Sequence, residues 1–266
     1  MRSARTPSSP TPSIHSSIIH HPPIHSSILP SFQPSMIPSF ETWLLLLSGP
    51  GDPAFNMALD EALLFSMPRL GRPALRFYSW TEKAASFGYF QKYAEVQRMT
   101  LLRPLVRRPT AGGLVPHDAD WTYSLAFPTS HPWYSLSATD SYRRLHEWIQ
   151  AAFTQLGLAT DLAPSSRKAQ SGQCFAGYEK FDLLWRGQKI AGAAQRRARQ
   201  GLLIQGSVQP PPPALSRADW QKAMCEVAGS AQAVRWTAFT PDAPLHAQAL
   251  DLAQRKYSQP AHNQKR

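Results

Sequence analysis

The sequence predicts an α+β fold, with a central mixed or antiparallel sheet flanked by helices that we expect on one face. Short segments rich in β-branched and aromatic residues alternate with segments of helical period. The chain has 266 residues, 42% of them hydrophobic, which is enough for a buried core. The pattern divides the chain into a leader at 1–40, a globular domain at 41–235 and a weakly patterned tail at 236–266.

The first elements follow one another closely after residue 41. The apolar run 43–47 has the length of a buried strand. Asp52 and Pro53 predict a helix start, because Asp caps a helix and Pro fits its first position. Residues 75–80 and 85–88 have the composition of the next two strands.

The second half continues the alternation of strands and helices. Residues 122–127 are rich in β-branched and aromatic side chains and predict a strand, and 138–156 predict an amphipathic helix that ends at Gly157. The remaining expected elements are a hairpin over 181–192, a short strand at 202–204, a stiff connector at 210–213 and a helix from about Ser216.

The leader differs from the rest of the chain in composition. It is rich in Ser, Pro, Ile and His, contains no acidic residue, and repeats Ile-His-Ser-Ser-Ile at 14–18 and 24–28. Because little apolar surface can offset the entropy of ordering, we expect disorder. Other interpretations are an upstream start with Met36 as the true initiator, an organelle transit peptide, or a metal site at the histidines (His15, His20, His21 and His25).

The charge and the cysteine content limit which partners and which cellular compartment we expect. The net charge of +11 favours an acidic protein or an anionic ligand as partner. The sequence has no nucleic-acid-binding motif and no apolar run near the ~20 residues of a membrane span, so we expect neither nucleic acid nor membrane as partner. Two cysteines make no disulfide framework, which favours a cytoplasmic protein.

The segment RRPTAGG, at residues 107–113, combines two cations with a glycine turn. Arg107 and Arg108 precede a turn that ends in Gly112 and Gly113. Glycines let a ligand approach the main chain, and exposed N–H groups beside arginines can hold a phosphate or an oxyanion. A plain hairpin turn with solvated arginines explains the same residues equally well.

Two reactive side chains, Lys189 and Cys174, stand out downstream. Strand alternation predicts that Lys189 and Ala191 point to one face of the sheet. If Lys189 points inward, it needs an anionic partner. The alternative is an exposed lysine on an edge strand. Cys174 lies in a loop between two glycines, and a nearby cation would make it a thiolate nucleophile. Cys225 instead fits the common buried, apolar cysteine.

Several motifs in one consistent order resemble a known family. The segment RRPTAGGLVPHD at 107–118, followed by WTYSL at 121–125, resembles the signature of the lipoate–protein ligase and octanoyltransferase family. Residues 56–64, 86–91, 182–196 and 201–208 resemble its first helix, its early strand and turn, the segment with its essential lysine, and the strand after it. The resemblance runs from about residue 42 to about residue 230.

The resemblance implies a fold and a set of site residues. The fold is that of biotin and lipoate ligase catalytic domains, with a tunnel for a medium-length acyl chain between the 107–113 loop and Lys189. In the cysteine-dependent octanoyltransferase branch the nucleophile precedes the lysine strand, where this chain has Cys174. The implied catalytic residues are Cys174 and Lys189, and the implied substrate-binding residues are Arg107, Arg108, Thr110, Gly112, Gly113, His117, Asp118 and Gly192.

Three functions are compatible with this resemblance. We expect an octanoyltransferase of lipoate biosynthesis, which moves octanoyl from acyl carrier protein through an acyl-cysteine to a lysine of a lipoyl domain or glycine cleavage H protein, without a metal or cofactor. An ATP-dependent lipoate–protein ligase, using ATP and Mg, is the first alternative, although the short tail does not easily supply the accessory domain of typical ligases. A non-catalytic module that binds acyl groups or carrier proteins is the second.

Two positions depart from the family pattern. Ala111 stands where the family commonly has a glycine, which narrows the turn and weakens the argument for phosphate binding. Gln205 stands where the last strand usually carries a histidine before Gly-Ser, so any role of that histidine is absent or altered.

Overall fold

The fold is built around an eight-stranded mixed sheet and a smaller three-stranded sheet. The computed structural model describes residues 40–167 and 177–265. The strands are β1 (Glu41–Gly51), β2 (Ala74–Trp80), β3 (Ala84–Phe87), β4 (Leu105–Arg107), β5 (Val115–His117), β6 (Trp121–Phe127), β7 (Asp161–Leu162), β8 (Leu183–Trp185), β9 (Gln188–Ala198), β10 (Gly201–Val208) and β11 (Val234–Ala238). The helices are α1 (Pro53–Leu70), α2 (Tyr93–Met99), α3 (Pro132–Ser135), α4 (Ala138–Gln155), α5 (Arg217–Ala231), α6 (Ala243–Leu252), a π-helical turn (Ala253–Tyr257) and α7 (Pro260–Asn263).

The large sheet has the strand order β11-β1-β2-β6-β10-β9-β8-β7. Strand β1 is parallel to both of its neighbours, and the pairs from β2 to β7 are antiparallel. The small sheet has the order β4-β3-β5, with β3 parallel to β4 and antiparallel to β5. This architecture confirms the predicted α+β class with a central mixed sheet.

Helix α1 begins and ends at residues with identifiable capping roles. Asp52 Oδ1 accepts hydrogen bonds from the backbone N–H groups of Ala54 at 2.9 Å and Phe55 at 3.0 Å, and Pro53 takes the first helical position. Gly71 ends the helix in the left-handed conformation, with φ of 62°, and its N–H donates to the Met67 carbonyl. The capping prediction from Asp52 and Pro53 is therefore confirmed.

Helices cover both faces of the large sheet, whereas the sequence suggested one face. On one side, aromatic residues of α4 and α5, such as Trp148 and Trp220, pack on β2, β6 and β10. On the other, Leu59 and Leu63 of α1 pack with Leu245 of α6 against β1. The second layer was missed because the apolar period of a helix does not tell which face of the sheet the helix covers. Helix α1 is in fact buried nearly all round.

The C-terminal tail is helical and is fastened to α1. Lys256 Nζ and Tyr257 Oη donate to Glu61 Oε2 at 2.6 and 2.9 Å, and Arg196 donates to Glu61 Oε1 at 2.6 Å. Burial opposes ionisation of Glu61, but these partners outweigh it and hold its pKa below the ordinary value. Glu61 thus joins α1 to β9 and to the tail.

The residues described here belong to one unit, Pro38–Arg266. None of the helices within 40–167 and 177–265 is long and apolar enough to cross a membrane. The prediction of a disordered leader concerns residues 1–40 and, apart from Phe40, lies outside the described residues.

Candidate active site

A cavity lies between the large sheet and the small sheet. The cross-strand row Tyr78, Thr122, Ser207 and Gly192 forms part of one wall. The opposite wall consists of small-sheet side chains, and the cavity also receives Met57 of α1. Four residues from the predicted site line this cavity together, namely Arg108, His117, Lys189 and Gly192.

Lys189 is buried in the cavity wall and paired with an acid. Its Nζ lies 2.7 Å from Asp182 Oδ2, and both side chains are only 7% exposed, so the exposed edge-strand alternative is excluded. Leu183 pairs with Ala191 and Leu184 with Lys189, which makes Ile190 the extra residue of a β-bulge. Because of this bulge Ala191 packs in the core while Lys189 lines the cavity, and the prediction that they share a face is wrong.

Gly192 provides the space that the Lys189 side chain occupies. A Cβ atom at position 192 would lie 2.5 Å from Lys189 Cε and 2.6 Å from its Nζ. Any side chain there would therefore displace the ammonium group from Asp182. Gly192 shapes the site through its missing side chain.

Arg107 and Arg108 point to opposite sides because the strand alternates its faces. Arg107 pairs with Phe87 in the small sheet and stacks on the Phe87 ring at 4.7 Å. The guanidinium of Arg107 donates to the carbonyls of Tyr89, Gln91, His262 and Asn263. Its backbone and side chain thus hold the C-terminal helix, and its substrate-binding role stays a prediction.

Arg108 faces the cavity and shapes the loop that follows it. Its Nη2 donates to the Ala111 carbonyl at 2.6 Å, and its Nε donates to the same carbonyl at 3.1 Å and to Thr110 Oγ1 at 3.2 Å. Gly112 has φ of 91°, and a Cβ at Gly88 would lie 1.9 Å from the Gly112 carbonyl oxygen. Thr110, Gly112 and Gly113 therefore form a tight loop beside Arg108, packed against the turn at Gly88.

His117 contacts two polar residues that sequence reasoning did not place in the site. Ser86 Oγ lies 2.8 Å from His117 Nε2, and Asp120 Oδ2 lies 2.9 Å from His117 Nδ1. The Trp80 ring stacks on the imidazole at a centroid distance of 3.9 Å. The available signal was the strand period, since Ser86 pairs with Val115 and His117 lies two residues later on the same face.

Asp120 is held ionised by its neighbours. Burial opposes its ionisation, but His117 and the hydroxyls of Ser207 and Thr122 lower the pKa of Asp120 below the ordinary value. Asp118, the predicted binding residue, lies with Asp120 along a neighbouring surface depression, which shares Trp80 and His117 with the cavity.

Gln205 connects the loop to a buried ion pair. Its Nε2 donates to Asp60 Oδ2 at 2.7 Å, and its Oε1 accepts from Thr110 Oγ1 at 2.8 Å. Asp60 is in turn paired with Arg76 at 2.7 Å and accepts a hydrogen bond from Ser124. Gln205, the departure from the family pattern, therefore both donates and accepts a hydrogen bond at this position.

Cys174 lies in the segment 168–176, outside the described residues. The residues that flank this segment are paired, because Arg167 and Tyr178 exchange two backbone hydrogen bonds at 2.8 and 3.0 Å. Cys225 lies on α5, where burial raises its pKa to about 12 and keeps the thiol protonated. Among the described residues, no group of three His, Cys, Asp or Glu side chains is arranged to hold a metal ion.

Comparisons with known proteins confirm the family resemblance. The model of the lipoyl protein ligase A/B catalytic domain matches residues 52–209. Octanoyltransferase LipM of Halalkalibacterium halodurans is 38% identical over 181 residues, which are 63% of this chain and 66% of that protein. The chain thus spans just under two thirds of the length of this curated relative.

Two solved structures share the fold at low sequence identity. Lipoate-protein ligase A bound with ATP has a TM-score of 0.69 and 22% identity, over 85% of this chain and 99% of that chain. An archaeal bipartite lipoate protein ligase from Thermoplasma acidophilum, studied with its E2 lipoyl domain, has a TM-score of 0.63 and 20% identity, over 85% and 97% of the two chains. These similarities confirm the predicted fold.

Proposed function

We propose that this chain, which belongs to the lipoyl protein ligase A/B catalytic domain family, is an octanoyltransferase of lipoate biosynthesis. The observation that carries the proposal is the buried Lys189–Asp182 pair at the cavity, in a chain that is similar over 181 residues to an octanoyltransferase. A buried cation is costly unless an anion pairs with it, and Asp182 pairs with Lys189 here. In the proposed reaction the ammonium also stabilises the negative charge that develops on the acyl carbonyl.

The proposed reaction has two steps. Cys174 loses its proton, and the thiolate attacks the carbonyl carbon of octanoyl acyl carrier protein. The thioester C–S bond breaks, and the carrier sulfur leaves as a thiol with the proton that Cys174 gave up. The ε-amine of a lysine on a lipoyl domain or glycine cleavage H protein then attacks the acyl-cysteine, and its proton passes to the departing Cys174 sulfur. Lys189 stabilises the oxyanion in both steps. Conversion of a thioester to an amide is downhill, so no nucleotide is needed.

The chain segment after Cys174 supports the pairing with Lys189. Asp182 Oδ2 accepts hydrogen bonds from the Glu179 backbone N–H at 2.7 Å and from Lys189 Nζ at 2.7 Å. Cys174 precedes Glu179 by five residues in the sequence. Five residues span at most about 18 Å when the chain is fully extended. This short spacing in the chain is compatible with the proposed pairing of Cys174 and Lys189.

The charge of the chain supports an acidic donor protein. The net charge is +11, and a basic surface speeds encounter with acidic partners such as acyl carrier protein. Arg108 and the 110–113 loop contribute hydrogen-bond donors beside the acyl carbonyl in this proposal, with His117, Asp118 and Gly192 completing the binding site.

Intact-mass spectrometry after mixing with octanoyl acyl carrier protein tests the proposal. We expect a gain of one octanoyl group that hydroxylamine removes, followed by transfer to an added lipoyl domain. Cys174→Ser should abolish the thioester adduct and the transfer to the lipoyl domain, whereas the matched control Cys225→Ser should keep both. Transfer that persists in Cys174→Ser would contradict the covalent route through Cys174. Pyrophosphate release from ATP and lipoate would instead identify the ligase alternative, and binding without turnover the non-catalytic one.

A further inference from the structure

The contacts of His117 form a continuous hydrogen-bonded chain from a carboxylate to a hydroxyl. Asp120 Oδ2 lies 2.9 Å from His117 Nδ1, and His117 Nε2 lies 2.8 Å from Ser86 Oγ. All three residues are buried, and Ser86 and His117 line the cavity. Serine, histidine and aspartate in this order are the arrangement that activates a serine for nucleophilic attack.

The hydrogen-bond directions follow from the acid at one end. An ionised Asp120 can only accept, so His117 carries its proton on Nδ1 and donates it to Asp120. In the neutral imidazole that the proposed reaction requires, Nε2 then carries no proton and accepts the hydrogen of the Ser86 hydroxyl. The stacked Trp80 ring holds the imidazole in this orientation.

The position of Ser86 suits attack on an acyl group. Arg108 Nη1 lies 3.4 Å from Ser86 Oγ, where its positive charge favours an alkoxide and an oxyanion beside it. Met57, Val115 and Ala193 supply apolar wall next to these polar groups. A nucleophile, a base and a cation therefore meet in a cavity with an apolar wall.

We propose that Ser86, His117 and Asp120 form a second nucleophilic centre, which accepts aliphatic acyl esters and thioesters and hydrolyses them. The Ser86 oxygen attacks the carbonyl carbon, its proton passes to His117 Nε2, and the C–O or C–S bond to the leaving group breaks as the group takes that proton. Water then attacks the acyl-serine, again deprotonated by His117, and releases the free acid and Ser86. This activity goes beyond acyl transfer to protein and does not depend on Cys174.

The test is performed in the full chain with Cys174→Ala, which removes the thiol that the proposed transfer uses. An alkyl fluorophosphonate, which phosphonylates activated serines, should add once, on the peptide that contains Ser86. Ser86→Ala should abolish this labelling. Asp120→Asn and His117→Gln should slow both labelling and p-nitrophenyl octanoate hydrolysis at least ~100-fold, because the base is lost or held in the wrong tautomer. Ser66→Ala, a buried serine of α1 away from the cavity, should change neither rate.

The alternative is that the three residues only support the small sheet. In that case the Cys174→Ala chain would react equally with and without Ser86→Ala, or a folded Cys174→Ala chain would take up no label, and either result overturns the proposal. Ser86→Cys, which keeps the size of the side chain, covers the case in which Ser86→Ala does not fold. It should lose fluorophosphonate labelling and gain alkylation by iodoacetamide that depends on His117, and an unreactive Cys at this position would also overturn it.

Discussion

Arg107 faces the C-terminal helix, whereas Arg108 faces the cavity. The guanidinium of Arg107 donates to four backbone carbonyls, two of them in the tail, and that of Arg108 donates to the Ala111 carbonyl and to two hydroxyls. Both side chains are buried, and both belong to one sequence motif. Strand register, which pairs Phe87 with Arg107 and Ser86 with Val106, separates their tasks: one arginine supports the fold and its neighbour shapes the site.

The largest effect that this comparison predicts is on stability. Arg107→Met should lower the free energy of unfolding by about 4 kcal/mol, because one buried and three partly buried carbonyls lose their donor. Urea unfolding followed by tryptophan fluorescence measures the change. Arg103→Met removes an exposed arginine and should cost less than about 0.5 kcal/mol. Equal losses of unfolding free energy in the two variants would contradict the role of Arg107 in supporting the fold.

The pH dependence of stability should reveal the same tail contact. Burial lowers the pKa of His262 to about 4, although its hydrogen bond to the Arg107 carbonyl raises it. An unfolded histidine titrates near 6.5, so the contribution of His262 is complete above that pH and is lost as the pH falls toward 4. We expect a loss of at most about 3 kcal/mol, measured by unfolding at a series of pH values. His262→Gln should reduce the slope of the profile in this window, to which His146 also contributes because burial lowers its pKa to about 4. An unchanged slope would contradict the assignment.

On the cavity side, the effect should appear in the rate. Arg108→Met should reduce kcat/KM for octanoyl transfer by about 100-fold, since the variant loses the donor that shapes the 110–113 loop and a cation at the cavity. Its unfolding free energy should fall by only about 1–2 kcal/mol, because one backbone carbonyl loses its donor. A variant with normal turnover would show that both arginines serve the fold.

The sequence predicted most of the large sheet, the main helices and the family because these depend on local pattern, but it did not predict the short strands β5, β7 and β11. The caps at Asp52 and Ser216 and the amphipathic helix before Gly157 are readable within a few residues. The tail helices were missed because their stability comes from packing on α1 and from Glu61, which are distant in sequence. Local pattern thus predicts elements but not the layers that they form.

The candidate site was predicted in part for the same reason. Lys189 is conspicuous as a charge in an apolar strand. The sequence alone does not predict the bulge at Ile190 or the acid, Asp182, that pairs with Lys189. Ser86 and Asp120 are ordinary polar residues until the small sheet brings them to His117. The distinction between Arg107 and Arg108 likewise required the strand register.

The smallest expected effect concerns space on the cavity side rather than hydrogen bonds. Gly192→Ala should reduce octanoyl transfer by about 10-fold, because its Cβ would lie 2.5 Å from Lys189 Cε and push the ammonium away from Asp182. Gly229→Ala, on α5 with no atom nearer than 3.6 Å to the new Cβ, is the matched control and should leave the rate unchanged. Rates with octanoyl acyl carrier protein and a lipoyl domain decide the outcome. If Gly192→Ala transfers octanoyl at the control rate, the reaction does not require the Lys189 ammonium to lie over residue 192. The effect of the cavity wall on the rate would then rest on Arg108.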